Sequence, residues 1–168
     1  PLSFFGGIGG SSKKGILIKG SNYLEALAQT KTIVFDKTGT LTKGVFKVQE
    51  VSPIGISKDE LIKLTAYAEY YSNHPISESI KDYYGETIEE NHITDVEEVS
   101  GHGIVATVKD NKIYAGNSKL MDKMKINYND IDLIGTIIHV AVNEKYCGYI
   151  LIADEIKPDS IKAINELE

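Results

Sequence analysis

The sequence predicts an α/β protein in which an antiparallel sheet with flanking helices is inserted into an incomplete parallel α/β unit. Three observations predict it. Thr32-Ile33-Val34-Phe35 is a compact apolar run followed at once by polar residues and glycine, as in a short strand buried on both faces of a parallel sheet. From Val45 onward the pattern changes to alternating segments joined by turn residues, with two hairpin signals. Behind Pro158, the residues Ile161, Ile164 and Leu167 are spaced for one apolar helical face. The middle of the chain therefore reads as an insert of about 100 residues between two pieces of another layer.

The elements follow in order. Residues 1–10 are apolar and glycine-rich, and Lys13-Lys14 then turns basic. Two readings stand there: a flexible leader, or the cytosolic end of a membrane helix with its basic pair on the cytoplasmic side. Tyr23 to Gln29 is a short helical pattern with Leu24, Leu27 and Ala28 on one side. After the 32–35 strand, Val45–Val51 alternates loosely, as a half-buried strand does. Ser57-Lys58-Asp59-Glu60 is a capping box, and Leu61, Leu64, Thr65 and Ala68 fall on one face of the helix it opens. Pro75 suits the first turn of another helix, capped by Asn73 or His74. Ile104–Val108 and Ile113–Ala115 flank an Asp110-Asn111 turn, and Ile137–Val142 and Tyr146–Ile152 flank Asn143-Glu144. A helical piece near Ser118–Met124 separates the two hairpins, and the acidic stretch Glu86–Glu98 reads as a solvated edge with a loop.

Composition narrows the function. The 168 residues carry 18 basic and 24 acidic side chains, a formal net charge of −6, which disfavours nucleic acid or an anionic membrane surface as the main partner. No apolar run approaches the roughly 18 residues needed to span a bilayer. The N-terminus has no basic region leading into a long apolar core, so no signal peptide is read. One cysteine excludes an intrachain disulfide framework and fits a reducing, cytosolic setting. Cys147 itself, within a strand pattern, reads as a structural thiol. His92, His102 and His139 are dispersed without zinc-type spacing.

The chemistry concentrates in Asp36-Lys37-Thr38-Gly39-Thr40-Leu41-Thr42, directly after the 32–35 run. In open α/β sheets, ligands bind beyond the carboxyl ends of the strands. Gly39 allows a tight loop whose N–H groups approach a phosphate, and three threonine hydroxyls surround the same point. A carboxylate ringed by such donors suits a nucleophile for phosphoryl transfer, with magnesium offsetting charge repulsion. Asp, Thr and Gly are also common in plain turns, but chance occurrence of this five-residue string in such a chain is on the order of one in 20,000.

Asp36 to Thr42 resembles the phosphorylation signature of the P-type ATPases, ion pumps whose catalytic core has a haloacid-dehalogenase-like fold. The resemblance implies that Asp36 is the residue phosphorylated by ATP. Lys37, Thr38 and Thr40 would complete the catalytic loop, with Asp36 and the Thr38 carbonyl as partial ligands of Mg2+. Phosphatases of the superfamily usually carry a second aspartate where Thr38 stands, so a longer-lived aspartyl phosphate is favoured. Ser72-Asn73-His74-Pro75 resembles the Ser-x-His-Pro signature of the heavy-metal, CPx-type branch, and Glu69 matches a glutamate of the same pocket. Gly101-His102-Gly103 resembles the start of that branch's glycine motif, although Ala106 departs from it, and Gly116-Asn117 resembles a later pair. These positions would surround the adenine of ATP, and His102 could border the nucleotide by position. Glycines let a flat base approach the backbone, His74 can stack or hydrogen-bond, and Glu69 can accept from the adenine amino group or fix the histidine.

Asp154-Glu155-Ile156-Lys157-Pro158-Asp159 resembles the hinge by which the pump chain re-enters its phosphorylation domain; Asp154 and Lys157 are the candidates there. The resemblance implies a membrane-exit leader over 1–20 and the first part of a haloacid-dehalogenase-like parallel α/β phosphorylation domain over 21–44. A nucleotide-binding domain over 45–148 and the start of the second phosphorylation part over 149–168 would follow. The glycine-rich leader is nearer the zinc/cadmium/lead group than the copper group. Expected partners are ATP and the rest of the same pump, on the cytosolic face of a membrane. The transported metal would lie outside this segment, and the segment alone is expected to turn over little ATP. Two other functions are carried: a phosphatase of the same superfamily with a cap domain, and a nucleotide-binding module without turnover.

Overall fold

The computed structural model describes residues 2–167, in two units: one ends at Asp36, the other begins at Lys37. The first unit holds helix α1 (Leu2–Lys13) and helix α2 (Ser21–Ala28). The helices approach closely where Gly7 lies under Leu24; a Cβ on Gly7 would come within 2.7 Å of the Leu24 side chain. The expected flexible leader is thus helical: its apolar residues and glycines contain no proline after position 1, and Gly7 gives α2 a place to pack. No described helix is long and apolar enough to cross a membrane.

The strand expected over 32–35 does not form. Ile33, Val34 and Phe35 are exposed, Val34 at 91%. A strand buried on both faces needs neighbours for its N–H and C=O groups and helices above and below. The order of the molecule's sheet contains no partner for these four residues.

The second unit is built on a six-stranded sheet, antiparallel at every junction, of order β1-β6-β5-β4-β3-β2. The strands are β1 (Thr42–Pro53), β2 (Ile93–Val99), β3 (Gly103–Val108), β4 (Asn111–Gly116), β5 (Thr136–Val142) and β6 (Lys145–Ile156). Both expected hairpins are present. The first turns at Lys109-Asp110, one residue earlier than the sequence suggested, with Lys109 at φ 43°. In the second, Asn143 and Glu144 are both left-handed (φ 48° and 64°), as a two-residue hairpin turn requires. The Asn143 carboxamide steadies that turn by accepting from the Lys112 N–H at 2.9 Å and donating to Asn111 Oδ1 at 2.9 Å.

Helix α3 (Lys58–Ala68) and helix α4 (Pro75–Tyr84) cover one face of the sheet. The capping box forms: Ser57 Oγ accepts from the Glu60 N–H at 3.1 Å. Leu61, Thr65 and Ala68 are fully buried on the expected face, among Ile104, Ile113, Val140 and Ile150. Full burial of one such leucine stabilises the fold by about 1.5–3 kcal/mol. Helix α5 (Ser118–Lys123) caps the other face, where Leu120, Met121 and Ile126 meet Val105 and Tyr114. Alternation along β3 produces both layers: Ile104, Ala106 and Val108 face α3, while Val105 faces α5. The acidic segment ends in β2, an edge strand whose middle is exposed. Helix α6 (Ser160–Leu167) begins two residues beyond Pro158, and its Ile161 and Leu167 are exposed.

Candidate functional site

Six of the sequence-selected residues converge. Glu69, His74, Gly101, Gly103, Gly116 and Asn117 line one cleft of about 300 Å3 at the junction of α3, α4 and the β3–β4 ends. They arrive from three places. Glu69 is the C-terminal cap of α3. His74 is the N-cap of α4, which decides between the two candidates for that role. The glycines and Asn117 come from the mouth of the β3–β4 hairpin.

Each side chain is fixed by a local contact. His74 Nδ1 accepts from the Ile76 N–H at 3.2 Å, which leaves Nε2 as the protonated nitrogen of the neutral ring, free to donate into the cleft. Asn117 caps α5 through its Oδ1 on the Leu120 N–H at 3.2 Å, and its Nδ2 donates to the Gly101 carbonyl at 2.9 Å. The same asparagine thus holds the glycine turn against the start of α5. Gly101 is left-handed (φ 71°), and a Cβ there would meet open space. Gly103 and Gly116 are constrained differently: they face each other across the β3–β4 ladder, where neither has room for a Cβ.

Glu69 is the buried charge of the cleft, only 5% exposed. Its Oε2 accepts from Ser77 Oγ at 2.7 Å. Burial pushes its carboxyl above the ordinary value of 4.5; the Ser77 bond and the Lys81 charge pull the other way, and Glu98 adds to the rise. A carboxyl raised in the fold favours folding below pH 4.5, and that contribution is lost as pH climbs through the folded value. Glu69→Gln is therefore expected to raise the melting temperature at pH 7 and to leave it unchanged near pH 4. Parallel thermal melts at the two pH values check this, and an equal shift at both would exclude ionisation as the cause.

The second group of candidates lies elsewhere. Asp36 is exposed at the end of the first unit. Lys37, Thr38 and Thr40 belong to the loop that opens the second. Thr38 (φ −74°, ψ 124°) and Gly39 (φ 78°, ψ −17°) make a type II turn, whose third position demands glycine. Asp154 and Lys157 are not brought to the His74 cleft; they hold this loop. Lys157 Nζ donates to the Gly39 carbonyl at 2.8 Å. Asp154 Oδ1 accepts from the Val45 N–H at 3.0 Å, and its Oδ2 meets the Thr42 hydroxyl. Glu155, beside it, bonds both Lys43 and Lys47, which hold its carboxyl below the ordinary range. Lys37, Thr38 and Asp154 also border a largely apolar groove of about 990 Å3 that runs past Phe46, Ile134 and Ile161.

Sequence reasoning missed Ser77, Lys81 and Glu98 around the cleft. Ser77 and Lys81 sit four apart on α4, a legible helical spacing. Nothing local said that this face meets the end of α3. Burial holds the Cys147 thiol above its ordinary value, as expected of a structural cysteine. Among the described residues, no group of three or more His, Cys, Asp and Glu side chains is placed to hold a metal ion.

With this geometry established, comparison with known proteins defines the class. The haloacid dehalogenase-like hydrolase family matches residues 30–168, and the chain belongs to that family. Within it, the resemblance to heavy-metal P-type ATPases is borne out. The chain is 54% identical over 169 residues to the cadmium, zinc and cobalt-transporting ATPase of Bacillus subtilis (strain 168), all of this chain against 24% of that protein. It is 29% identical to a zinc-transporting PIB-type ATPase solved in its E2.Pi state, with a TM-score of 0.78, over 98% of this chain and 28% of that one. The catalytic domain of the CPx-ATPase CopB-B, described for its conformational changes upon nucleotide binding, is 27% identical at a TM-score of 0.67, over 95% of this chain and 59% of that one. The chain spans about a quarter of the length of the curated relatives it matches.

Proposed function

We propose that this chain is the ATP-binding and aspartyl-phosphorylation segment of a heavy-metal-exporting P-type ATPase of the zinc/cadmium/lead group, with copper less favoured. The observation that carries the reading is the convergence of Glu69, His74, Gly101, Gly103, Gly116 and Asn117 on one cleft. The cleft is at the lower end of the size of small-molecule sites, enough for a base and part of its sugar. In this reading the base lies over the glycine turn, His74 Nε2–H donates to a ring nitrogen, and the free Glu69 oxygen accepts from the exocyclic amine. Relative motion of the nucleotide domain would then bring the triphosphate to Asp36. An Asp36 carboxylate oxygen attacks the γ-phosphorus, the bond to the β,γ-bridging oxygen breaks, and ADP leaves with the electron pair. Magnesium would offset the charge between carboxylate and triphosphate, and the Asp36 carboxylate and Thr38 carbonyl are hard oxygen donors of the kind it takes. Lys37 and Thr40 would bind the transferring group.

The segment boundaries we propose are a leader over 1–20, phosphorylation segments over 21–44 and 149–168, and the nucleotide-binding domain over 45–148. The apolar groove beside the Lys37–Thr42 loop suits the remaining phosphorylation segments of the same pump, on the cytosolic face of its membrane. The transported metal is bound outside this chain.

Calorimetric titration with ATP tests the reading. His74→Ala is expected to weaken binding at least about tenfold, or ~1.4 kcal/mol. Because Ala also removes the α4 cap, His74→Asn is the sharper variant: it keeps a capping oxygen and removes the ring. Wild-type affinity in His74→Asn would sink the assignment. Steady release of phosphate from simple phosphomonoesters would favour the phosphatase instead.

A further inference from the structure

Beneath His74 a line of hydroxyls connects its backbone to the buried carboxylate. The His74 N–H donates to Ser72 Oγ at 3.3 Å, Ser72 and Ser77 share a bond of 2.9 Å, and Ser77 Oγ donates to Glu69 Oε2 at 2.7 Å. Each hydroxyl has one proton. With Glu69 ionised, every proton in the line points toward it: Ser77 donates to the carboxylate, Ser72 donates to Ser77, and His74 donates to Ser72. Protonating Glu69 would let the two hydroxyl bonds reverse, while the His74 N–H donates to Ser72 in either state.

Lys81 closes the arrangement from the far side. Its ammonium donates to the Ser72 carbonyl at 2.9 Å and the Tyr70 carbonyl at 3.3 Å, and pairs with Glu78 at 2.6 Å. Its side chain is 18% exposed, so water screens these contacts weakly. The two carbonyls belong to the turn that leads from α3 to His74. Lys81 is therefore the cation that ties the turn to α4, and its charge acts on Glu69.

We propose that Lys81 is the positioning residue of the cleft: by holding the Tyr70 and Ser72 carbonyls it seats His74 at the start of α4 and fixes the Ser72–Ser77–Glu69 line of hydrogen bonds. The proposal rests on the cleft being an ATP site, and it deepens that reading by naming what presets the two recognition groups. The charged and titratable groups facing Glu69 are Lys81 from α4 and Glu98 from β2, with His74 and His102 on the cleft rim. Lys81 opposes Glu98 and favours the carboxylate.

The test uses the 168-residue chain in two measurements: ATP affinity by calorimetry at pH 7, and the pH midpoint of the Glu69 13C-carboxyl resonance, assigned by its loss in Glu69→Gln. Lys81→Met is expected to weaken ATP about tenfold and to move the Glu69 midpoint upward. Lys81→Arg, which retains charge and donors, is expected to restore affinity to within about threefold and leave the midpoint in place. Ser77→Ala, a close volume match, is expected to move the midpoint upward with Lys81 intact. Wild-type affinity and midpoint in Lys81→Met would overturn the proposal. Equal losses in the Met and Arg variants with an unmoved midpoint would reduce Lys81 to a packing role and overturn it as well. Should Lys81→Met not fold, an unmoved midpoint in Ser77→Ala decides against it. Failure of the wild-type chain to bind ATP would instead remove the ATP reading, and the Glu69 titration would still report the coupling.

Discussion

Asp36→Asn, introduced into the full-length protein that carries this segment, is expected to abolish acid-stable labelling by γ-labelled ATP, a fall of more than about a thousandfold, or ~4 kcal/mol in the barrier. The size follows from the step. A carboxamide is nearly isosteric with the carboxylate but has no anionic oxygen to form the phosphoryl bond, so the covalent intermediate itself is lost. The lining of the His74 cleft is untouched and the repulsion between carboxylate and triphosphate is removed, so ATP affinity in the same variant should be no weaker than wild type. That split separates the two sites: a nucleophile variant removes labelling and keeps binding, whereas His74→Asn weakens binding. Persistence of the phosphoenzyme in Asp36→Asn would overturn Asp36 as the acceptor and leave the cleft as a nucleotide site alone.

What the sequence made legible is uneven for physical reasons. The insert was readable because its signals are local. Capping residues, hairpin turns and period-two alternation act over a few residues, and α3, α4 and both hairpins stand within a residue of where those signals put them. The cleft was readable only as a set of separate motifs, since Gly101 and Asn117 meet through the register of β3 with β4, and Glu69 and His74 reach them through the packing of α3 and α4 on the sheet. The 32–35 run forms no strand in this chain, because apolar content describes a strand's faces and says nothing of the neighbours its hydrogen-bonding edges need. Asp154 and Lys157 were legible as special. Their bonds to Thr42 and Gly39 span more than a hundred residues and depend on the pairing of β1 with β6, which no local pattern encodes.

The second large effect belongs to Gly103. Its φ of 144° lies in the region glycine favours, and a Cβ there would sit 2.2 Å from the Ala115 carbonyl oxygen and 2.5 Å from Gly116 Cα. These are backbone atoms of the neighbouring strand and cannot swing aside as a side chain could. Gly103→Ala must part β3 from β4 at the cleft mouth, at an expected cost of roughly 2–4 kcal/mol. For a chain of this size that lowers the melting temperature by roughly 5–15 °C. Gly101→Ala makes the useful contrast, because its Cβ would enter open space and the penalty comes only from φ 71°, about 1–2 kcal/mol. Denaturant unfolding of the two variants should rank Gly103 well above Gly101, and a Gly103→Ala chain as stable as wild type would refute the close-approach argument. The contrast also separates two uses of glycine that a shared motif conceals. Gly103 is needed by the sheet, so any loss of ATP in its variant is secondary to a parted ladder. Gly101 has room for a methyl on the protein side, so a loss of ATP in a Gly101→Ala chain that remains folded reports on the space the ligand requires.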